Sequence, residues 1–277
     1  MRVLITGASG MLGATLCRII SEENEVFGTG NSNYIHAPKN YKPFNLKSDN
    51  YSEIIEWAKP DIIILSGALT NGNYCDNNPN EAFQINGISV KKFIEATNNN
   101  VKFIYISTDA VFPSRLHLAK ETDSVSPENV YGKSKELGEF FINLSNRDFC
   151  IIRTTIVGLN INSKKTGFVE WIINSSINHE EIGLFNDVLF NPITIWRLGK
   201  EINHILSLKN FPNETLHISG IENTTKYRFG IEVLKALNLK THTVKKASIK
   251  TFLDRAKRCN DQTLDCTYYQ KKYNRSI

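Results

Sequence analysis

The sequence predicts an α/β fold: a doubly wound parallel sheet, with a smaller mixed lobe formed by the C-terminal part of the chain. Three observations predict it. Apolar strand-like runs alternate with helix-period patterns at short intervals through residue 155. A glycine-rich turn, Thr6-Gly7-Ala8-Ser9-Gly10-Met11-Leu12-Gly13, joins the first strand pattern to the first helix pattern. Beyond Thr155 the rhythm loosens, which divides the chain into an N-terminal unit over 1–155 and a partly interleaved lobe over 156–277.

Each element follows from local pattern. Val3-Leu4-Ile5 is a short aliphatic run of the kind a buried strand requires. Leu12, Leu16, Ile19 and Ile20 then recur at helical spacing over 11–21. Strands are expected at 25–29 and near 41–44, the latter bracketed by Pro38 and Pro43, followed by a helix over 49–58. Residues 61–65 form a clearly apolar strand, and Asn78-Pro79 is a suitable cap and first-turn pair for a helix reaching about residue 97. A strand over 101–107, a helix opening near Pro127 and ending near 144, and a strand over 149–153 complete the alternation. In the second lobe, helices are expected at 166–177, 195–208 and 226–237, and short strands at 182–185 and 216–218.

Composition narrows the functional classes. The 277 residues carry a formal net charge of +5, with basic side chains scattered along the chain. The one denser run, 245–258, is interrupted by apolar residues and reads as a solvated helical face, so nucleic-acid binding is not expected. No apolar run approaches the roughly 20 residues of a membrane span. Five cysteines, an odd count with no metal-ligand spacing, suit a reducing compartment; a cytoplasmic protein with no signal peptide and no metal site is expected.

The glycine turn carries the first chemistry. Gly7, Gly10 and Gly13 permit a tight turn, close approach of backbone to a pyrophosphate, and close helix–strand packing. With Ser9, Met11 and Leu12, the turn would present the N–H groups at the helix start to phosphate oxygens. This gives residues 1–155 a Rossmann-like, dinucleotide-binding character. No Asp or Glu occurs between Glu25 and Asp49, where a carboxylate commonly holds the adenosine ribose of NAD. Strand two ends in Gly28-Thr29-Gly30-Asn31-Ser32, which leaves room for a 2′-phosphate, with Thr29, Asn31, Ser32, His36 or Lys39 as contacts. NADP(H) is therefore the preferred cofactor, with NAD(H) left open.

The second chemistry is proton transfer. Tyr131 and Lys135 stand four apart on a helix and share a face, whereas Lys133 points away. An adjacent ammonium and a nicotinamide cation favour the phenolate and would lower the phenol pKa from its usual 10. Thr108 ends the preceding strand at its carboxyl end, where ligands of parallel sheets bind, and can align a substrate carbonyl. The spacing alone carries little, because Tyr268 and Lys272 repeat it near the C-terminus. Its value lies in the order glycine loop, strand-end Thr108, helix-borne Tyr131 and Lys135.

Beyond these residues, the chain resembles the extended short-chain dehydrogenase/reductases, and within them dTDP-4-dehydrorhamnose reductase and its relatives. The resemblance rests on T-G-A-S-G-M-L-G at 6–13, P-D-I-I-I-L-S-G-A at 60–68, N-P-N-E-A-F-Q-I-N at 78–86, S-T-D-A-V-F at 107–112, E-T-D at 121–123 and Y-G-K-S-K-E-L-G-E at 131–139. It extends through Arg153-Thr154-Thr155, Asn186-Asp187 and Pro192-Ile193-Thr194 into the second lobe. It implies that Thr108, Tyr131 and Lys135 are catalytic. It implies pyrophosphate contacts from Gly10, Met11 and Leu12, a nicotinamide side at Gly67 and Ala68, and an adenine side at Asn45 and Leu46. It also implies contacts from Thr108 and Asp109 to a nucleotide-sugar substrate. The implied activity is NAD(P)H-dependent reduction of a nucleotide-activated 4-keto-6-deoxy sugar.

Two departures bear on the sugar. Ala110 stands where the family commonly has Tyr, and Ile156-Val157-Gly158 follow the Arg-Thr pair where Trp and Tyr are common. Ala110 also removes the Glu that related dehydratases use. An epimerase and a non-catalytic dinucleotide-binding subunit remain as alternatives. Arg153 is either a substrate ligand or half of a buried ion pair, and Asn86 either orders water near Lys135 or packs the helix. Arg258, with Arg255 and Lys257, is a candidate for the substrate diphosphate. A homodimer is compatible with the sequence.

Overall fold

The computed structural model describes residues 1–31, 33, 36–251 and 259–277. Its first half reads β1 (Arg2–Thr6), α1 (Met11–Ile20), β2 (Glu25–Gly30), β3 (Asn40–Pro43), α2 (Tyr51–Ala58), β4 (Ile62–Leu65), α3 (Gly72–Asn77), α4 (Pro79–Phe83), a π-helical turn at Gln84–Ile88, α5 (Ser89–Ala96), β5 (Lys102–Ile106), α6 (Val130–Asn143) and β6 (Phe149–Arg153). The second half adds β7 (Ile156–Val157), α7 (Phe168–Ile177), β8 (Ile182–Phe185), β9 (Leu189–Phe190), β10 (Ile193–Thr194), α8 (Ile195–Ser207), β11 (Glu214–His217), β12 (Thr224–Thr225), α9 (Lys226–Ala236), β13 (Val244–Ala247), β14 (Asp261–Gln262) and α10 (Thr267–Tyr273).

Seven parallel strands form the central sheet in the order β11-β6-β5-β4-β1-β2-β3. This is the doubly wound, Rossmann-like architecture expected from the sequence. Alternate residues of each strand enter different cores. Val3, Ile5, Ile62, Ile64 and Ile104 pack beneath α1 and α8, while Leu4, Ile63, Phe103 and Tyr105 pack against Ile54, Phe93 and Ile142 of α2, α5 and α6. The sheet is therefore apolar on both faces, as a parallel sheet covered by helices must be. Residues beyond 156 return to this unit: β11 pairs with β6, and Gly199 of α8 lies against Ile19 and Thr15 of α1.

The rest of the second half forms a lobe over the carboxyl ends of the strands. There β13 pairs with β8, β9 lies between β12 and β14, and α7 and α9 share a core through Ile172 and Leu234. Among the described residues no helix is long and apolar enough to cross a membrane, and all five cysteines are unoxidised and buried.

Two expectations need correction. The helix expected over 78–97 runs unbroken from Pro79 to Ala96 but passes through a π-turn at Gln84–Ile88, and Asn78 stands at its N-cap without a side-chain cap, its amide donating to the Tyr74 carbonyl instead. The basic run 245–258 does not begin as a helical face. Val244–Ala247 is a strand whose Lys245 and Lys246 side chains are exposed while Val244 points inward.

Candidate active site

The strands end in register, so the loops that follow them meet on one edge. Ile5 pairs with Ile64, Ile64 with Ile104, and Ile104 with Cys150. Gly7, Gly67 and Thr108 thus stand side by side at the carboxyl edge, where such sheets bind ligands. The glycine turn is built by backbone contact. Gly7 adopts φ +67, and a Cβ there would lie 2.5 Å from the Gly67 Cα. A Cβ on Gly13 would lie 2.2 Å from the Gly7 carbonyl oxygen. The Ala8 N–H donates to the Thr29 carbonyl at 2.7 Å, tying the turn to the end of β2. The first helical bond of α1 runs from Ala14 N–H to the Gly10 carbonyl, and Gly10 supplies no side-chain cap. The N–H groups of Met11, Leu12 and Gly13 therefore face outward from a helix start, an arrangement suited to phosphate.

Three adjoining cavities follow this edge. A cavity of about 560 Å³ is walled by Gly7, Gly10, Met11, Leu12, Thr108, Tyr131 and Lys135. A smaller one of about 140 Å³ is walled by Ser9, Thr29, Asn31, Asn45, Leu46, Gly67 and Ala68. A third, of about 650 Å³, shares Thr108, Asp109 and Tyr131 with the first and opens toward Trp171 and Phe185 in the second lobe. The sequence-derived residues thus fall into two groups along one groove. His36 and Lys39 are exposed and are not on its walls, and Ser32 lies outside the described residues.

Each reactive side chain is held by its element. Asn129 caps α6 by accepting the Gly132 N–H at 2.8 Å, which starts the helix so that Tyr131 and Lys135 face the groove while Lys133 is exposed. Gly132 is needed there, since a Cβ would lie 2.2 Å from the Ala110 carbonyl oxygen. The Lys135 ammonium sits 4.0 Å from the centroid of the Tyr105 ring. The Tyr105 hydroxyl donates to the Asn86 carbonyl at 2.9 Å and contacts the Lys135 carbonyl at 3.2 Å. Asn86 sits in the π-turn and spans to α6 through Ser134, 2.9 Å away, while its amide pairs with both backbone groups of Leu69. The Thr108 hydroxyl donates to the Asp109 carboxylate at 2.8 Å and accepts the Ala110 N–H at 3.2 Å.

Burial dominates the electrostatics. It raises the Tyr131 phenol above its ordinary value, and the hydrogen bond with Thr108 offsets only part of this. It lowers the Lys135 ammonium to about 7, with the Glu139 charge acting the other way. Burial also raises Asp109, opposed first by the positive charge of Lys226. Without a nicotinamide cation beside it, desolvation therefore sets the direction of the Tyr131 shift.

Arg153 is placed differently from a substrate ligand. It is not on the cavity walls. Its guanidinium grips Glu139 through two bonds of 3.0 and 2.7 Å, and Glu139 also accepts the Ser107 hydroxyl at 2.5 Å. This buried pair ties β6 to α6 beside the strand end that carries Thr108. Arg258, with Arg255 and Lys257, lies outside the described residues. The wall residues that escaped the sequence reading include Lys165, Lys226 and Gln262. They come from three separate segments of the second lobe, and nothing in their local sequence distinguishes them.

Comparison with known proteins agrees with the geometry. The family model described as RmlD substrate binding domain matches residues 1–277. The chain is 28% identical over 243 residues to spore coat polysaccharide biosynthesis protein SpsK of Bacillus subtilis, covering 87% of this chain and 81% of SpsK. It is 26% identical over 284 residues to methionine adenosyltransferase 2 subunit beta of Mus musculus, covering 96% and 80%. A crystal structure of dTDP-4-dehydrorhamnose reductase from Bacillus anthracis in complex with NADP superposes with a TM-score of 0.81 at 25% identity, covering 98% of this chain and 92% of that one.

Proposed function

The chain belongs to the RmlD substrate-binding-domain family, and from that membership we propose that it is an NADP(H)-preferring reductase of a nucleotide-activated 4-keto-6-deoxy sugar. The reading rests on one observation: Thr108, Tyr131 and Lys135 share one cavity wall with the glycine turn. The residues fit a nicotinamide dinucleotide. Met11 and Leu12 offer N–H groups to the pyrophosphate, Asn45 and Leu46 border the adenine side, and Gly67 and Ala68 border the nicotinamide side. The groove wall formed by Thr29, Asn31 and Asn45 holds no carboxylate, which favours a 2′-phosphate over a bare ribose.

When bound, the cofactor supplies hydride to the ketone carbon. The developing alkoxide then needs a proton, and Tyr131 is the donor. A phenol kept protonated by burial is in the state this step requires, and it remains a far stronger acid than an alcohol. Thr108 holds the ketone oxygen near Tyr131. Its single proton points to Asp109 here, so it must turn toward the substrate or serve as the acceptor that aligns the Tyr131 hydroxyl. Lys135 positions the ribose and stabilises negative charge on Tyr131 after transfer. Asp109, with Lys226 beside it, borders the sugar.

The two departures from the family pattern lie on this wall: Ala110 borders the outer cavity and Ile156 the inner one. Smaller side chains at both places favour a sugar other than the rhamnose precursor, or a different orientation of it.

The test is NADPH oxidation on adding a nucleotide 4-keto-6-deoxy sugar to the purified protein. Tyr131→Phe should lower turnover by roughly a hundredfold or more with its melting temperature preserved. Absence of oxidation with every nucleotide ketosugar overturns the reading. Likeness to methionine adenosyltransferase 2 subunit beta favours a second one, a dinucleotide-binding subunit. That predicts NADPH binding without turnover and co-purification with a catalytic partner. An epimerase would interconvert sugars with no net loss of NADPH.

A further inference from the structure

We propose that Lys165, carried by the loop between β7 and α7, is the cationic ligand of the dinucleotide pyrophosphate. The inference rests on the dinucleotide binding argued above.

The glycine turn supplies N–H groups but no charge, for residues 6–13 contain neither Lys nor Arg. A pyrophosphate held there still carries negative charge in a partly dehydrated groove, where a neighbouring cation counts for more than in water. Four residues line both the inner cavity and the adenosine-side cavity: Gly7, Gly67, Ala68 and Lys165. They mark the junction, and a dinucleotide extended from one cavity to the other must lay its pyrophosphate across it. The other lysines of the inner cavity are engaged elsewhere. Lys135 stands over Tyr105, and Lys226 lies 3.4 Å from the centroid of the Phe190 ring, beside Asp109.

The loop is fastened on both sides of Lys165. Asn162 is buried and donates to the Ser9 carbonyl of the glycine turn at 3.3 Å. Its own carbonyl accepts the Lys165 N–H at 3.0 Å, and its side-chain oxygen accepts the Lys164 N–H at 3.2 Å. On the far side, Glu170 accepts the Gly167 N–H at 2.9 Å and the Asn160 amide at 2.9 Å. A clasp so fixed presents Lys165 at the turn before any ligand arrives, which limits the ordering cost of binding. Burial lowers the Lys165 ammonium, and among the described residues no neighbouring charge offsets it. An anion at the junction would supply that offset.

Dissociation constants for NADPH and NADH, measured by calorimetry on the intact protein, test this without reference to turnover. Lys165→Gln should weaken both dinucleotides by a similar factor, roughly ten- to a hundredfold, while Lys165→Arg stays within a few-fold of wild type. Asn162→Ala, which keeps the charge but releases the clasp, should weaken both in the same ratio to a smaller extent. Melting of the ligand-free variants checks folding, and Lys165→Met replaces Gln should that variant not fold. Loss confined to NADPH would assign Lys165 to the 2′-phosphate and overturn the proposal. Unchanged constants for both would overturn it too, leaving the reductase reading intact. A wild-type protein that binds neither dinucleotide would sink both together.

Discussion

Replacing Glu139 by Gln tests how the edge that carries the proposed catalytic residues is held. The side chains of Arg153 and Glu139 are 8% and 5% exposed, so the pair sits out of water. Taking the charge from one partner leaves a buried guanidinium without its counter-ion, which costs about 3–5 kcal/mol. Gln keeps one oxygen that can accept from Arg153, so the lower end, about 3 kcal/mol, is the better expectation. At about 2–4 °C per kcal/mol for chains of this size, the melting temperature should fall by roughly 6–12 °C. Scanning calorimetry measures it directly. A fall under about 2 °C would show that the pair does not carry the stability argued here. Glu139→Leu combined with Arg153→Met should recover most of the loss, because a well-packed apolar pair pays no desolvation. The variant also has a chemical readout. The Glu139 carboxylate holds the Lys135 pKa up against burial, so its removal should move the alkaline limb of kcat/KM to lower pH.

Two further outcomes follow from named contacts. Lys135 titrates near 7 when folded and at 10.5 as the reference, so between these values the unfolded chain binds the extra proton, and raising pH favours folding. The burial penalty is fully present below about pH 7, so the gain in melting temperature of Lys135→Met over wild type should be greatest at about pH 6 and shrink toward pH 10; a constant difference would refute the assignment. Gly13→Ala places a methyl group against the Gly7 backbone at 2.2 Å, whereas Gly199→Ala meets only the tip of Ile19 at 2.5 Å. The first should abolish dinucleotide binding and cost several kcal/mol, and the second, where a flexible side chain can yield, should cost about 1–2 kcal/mol by chemical denaturation.

The central sheet was legible for a physical reason. Strands such as Ile62–Leu65 are buried on both faces, which favours an apolar residue at every position. The glycine turn was legible because backbone met backbone, a constraint that only glycine satisfies at Gly7 and Gly13. The π-turn was not legible, since a slip in the hydrogen-bond ladder leaves no compositional trace. Nor was β13: of its four residues Lys245 and Lys246 are exposed, too few inward positions to reveal a period. The groove residues Lys165, Lys226 and Gln262 arrive from distant segments; Lys226 and Gln262 meet through the pairing of β9 with β12 and β14, which short strands do not encode locally, and Lys165 through the contact of its loop with Ser9. The repeated Tyr-Lys spacing shows the same limit from the other side. Tyr268 and Lys272 both contact Glu214, at 2.6 and 2.7 Å, and fasten α10 to β11.

Tyr131 and Lys135, the proposed catalytic pair, show what spacing does and does not determine. Four residues of helix bring Tyr131 and Lys135 to one face, and this much is geometry. Whether the phenol is made more or less acidic depends on how much water each group loses, and that is a property of the assembled sheet edge. Here both groups are desolvated and Lys135 stands over the Tyr105 ring, so burial pushes the pair toward its uncharged forms. A protonated phenol is the reactant for quenching an alkoxide, whereas alcohol oxidation needs the phenolate. The protonated phenol is thus the form that the proposed reduction calls for. The negative charge of a bound dinucleotide would draw Lys135 back to its ammonium form, which then stabilises the phenolate once its proton has gone.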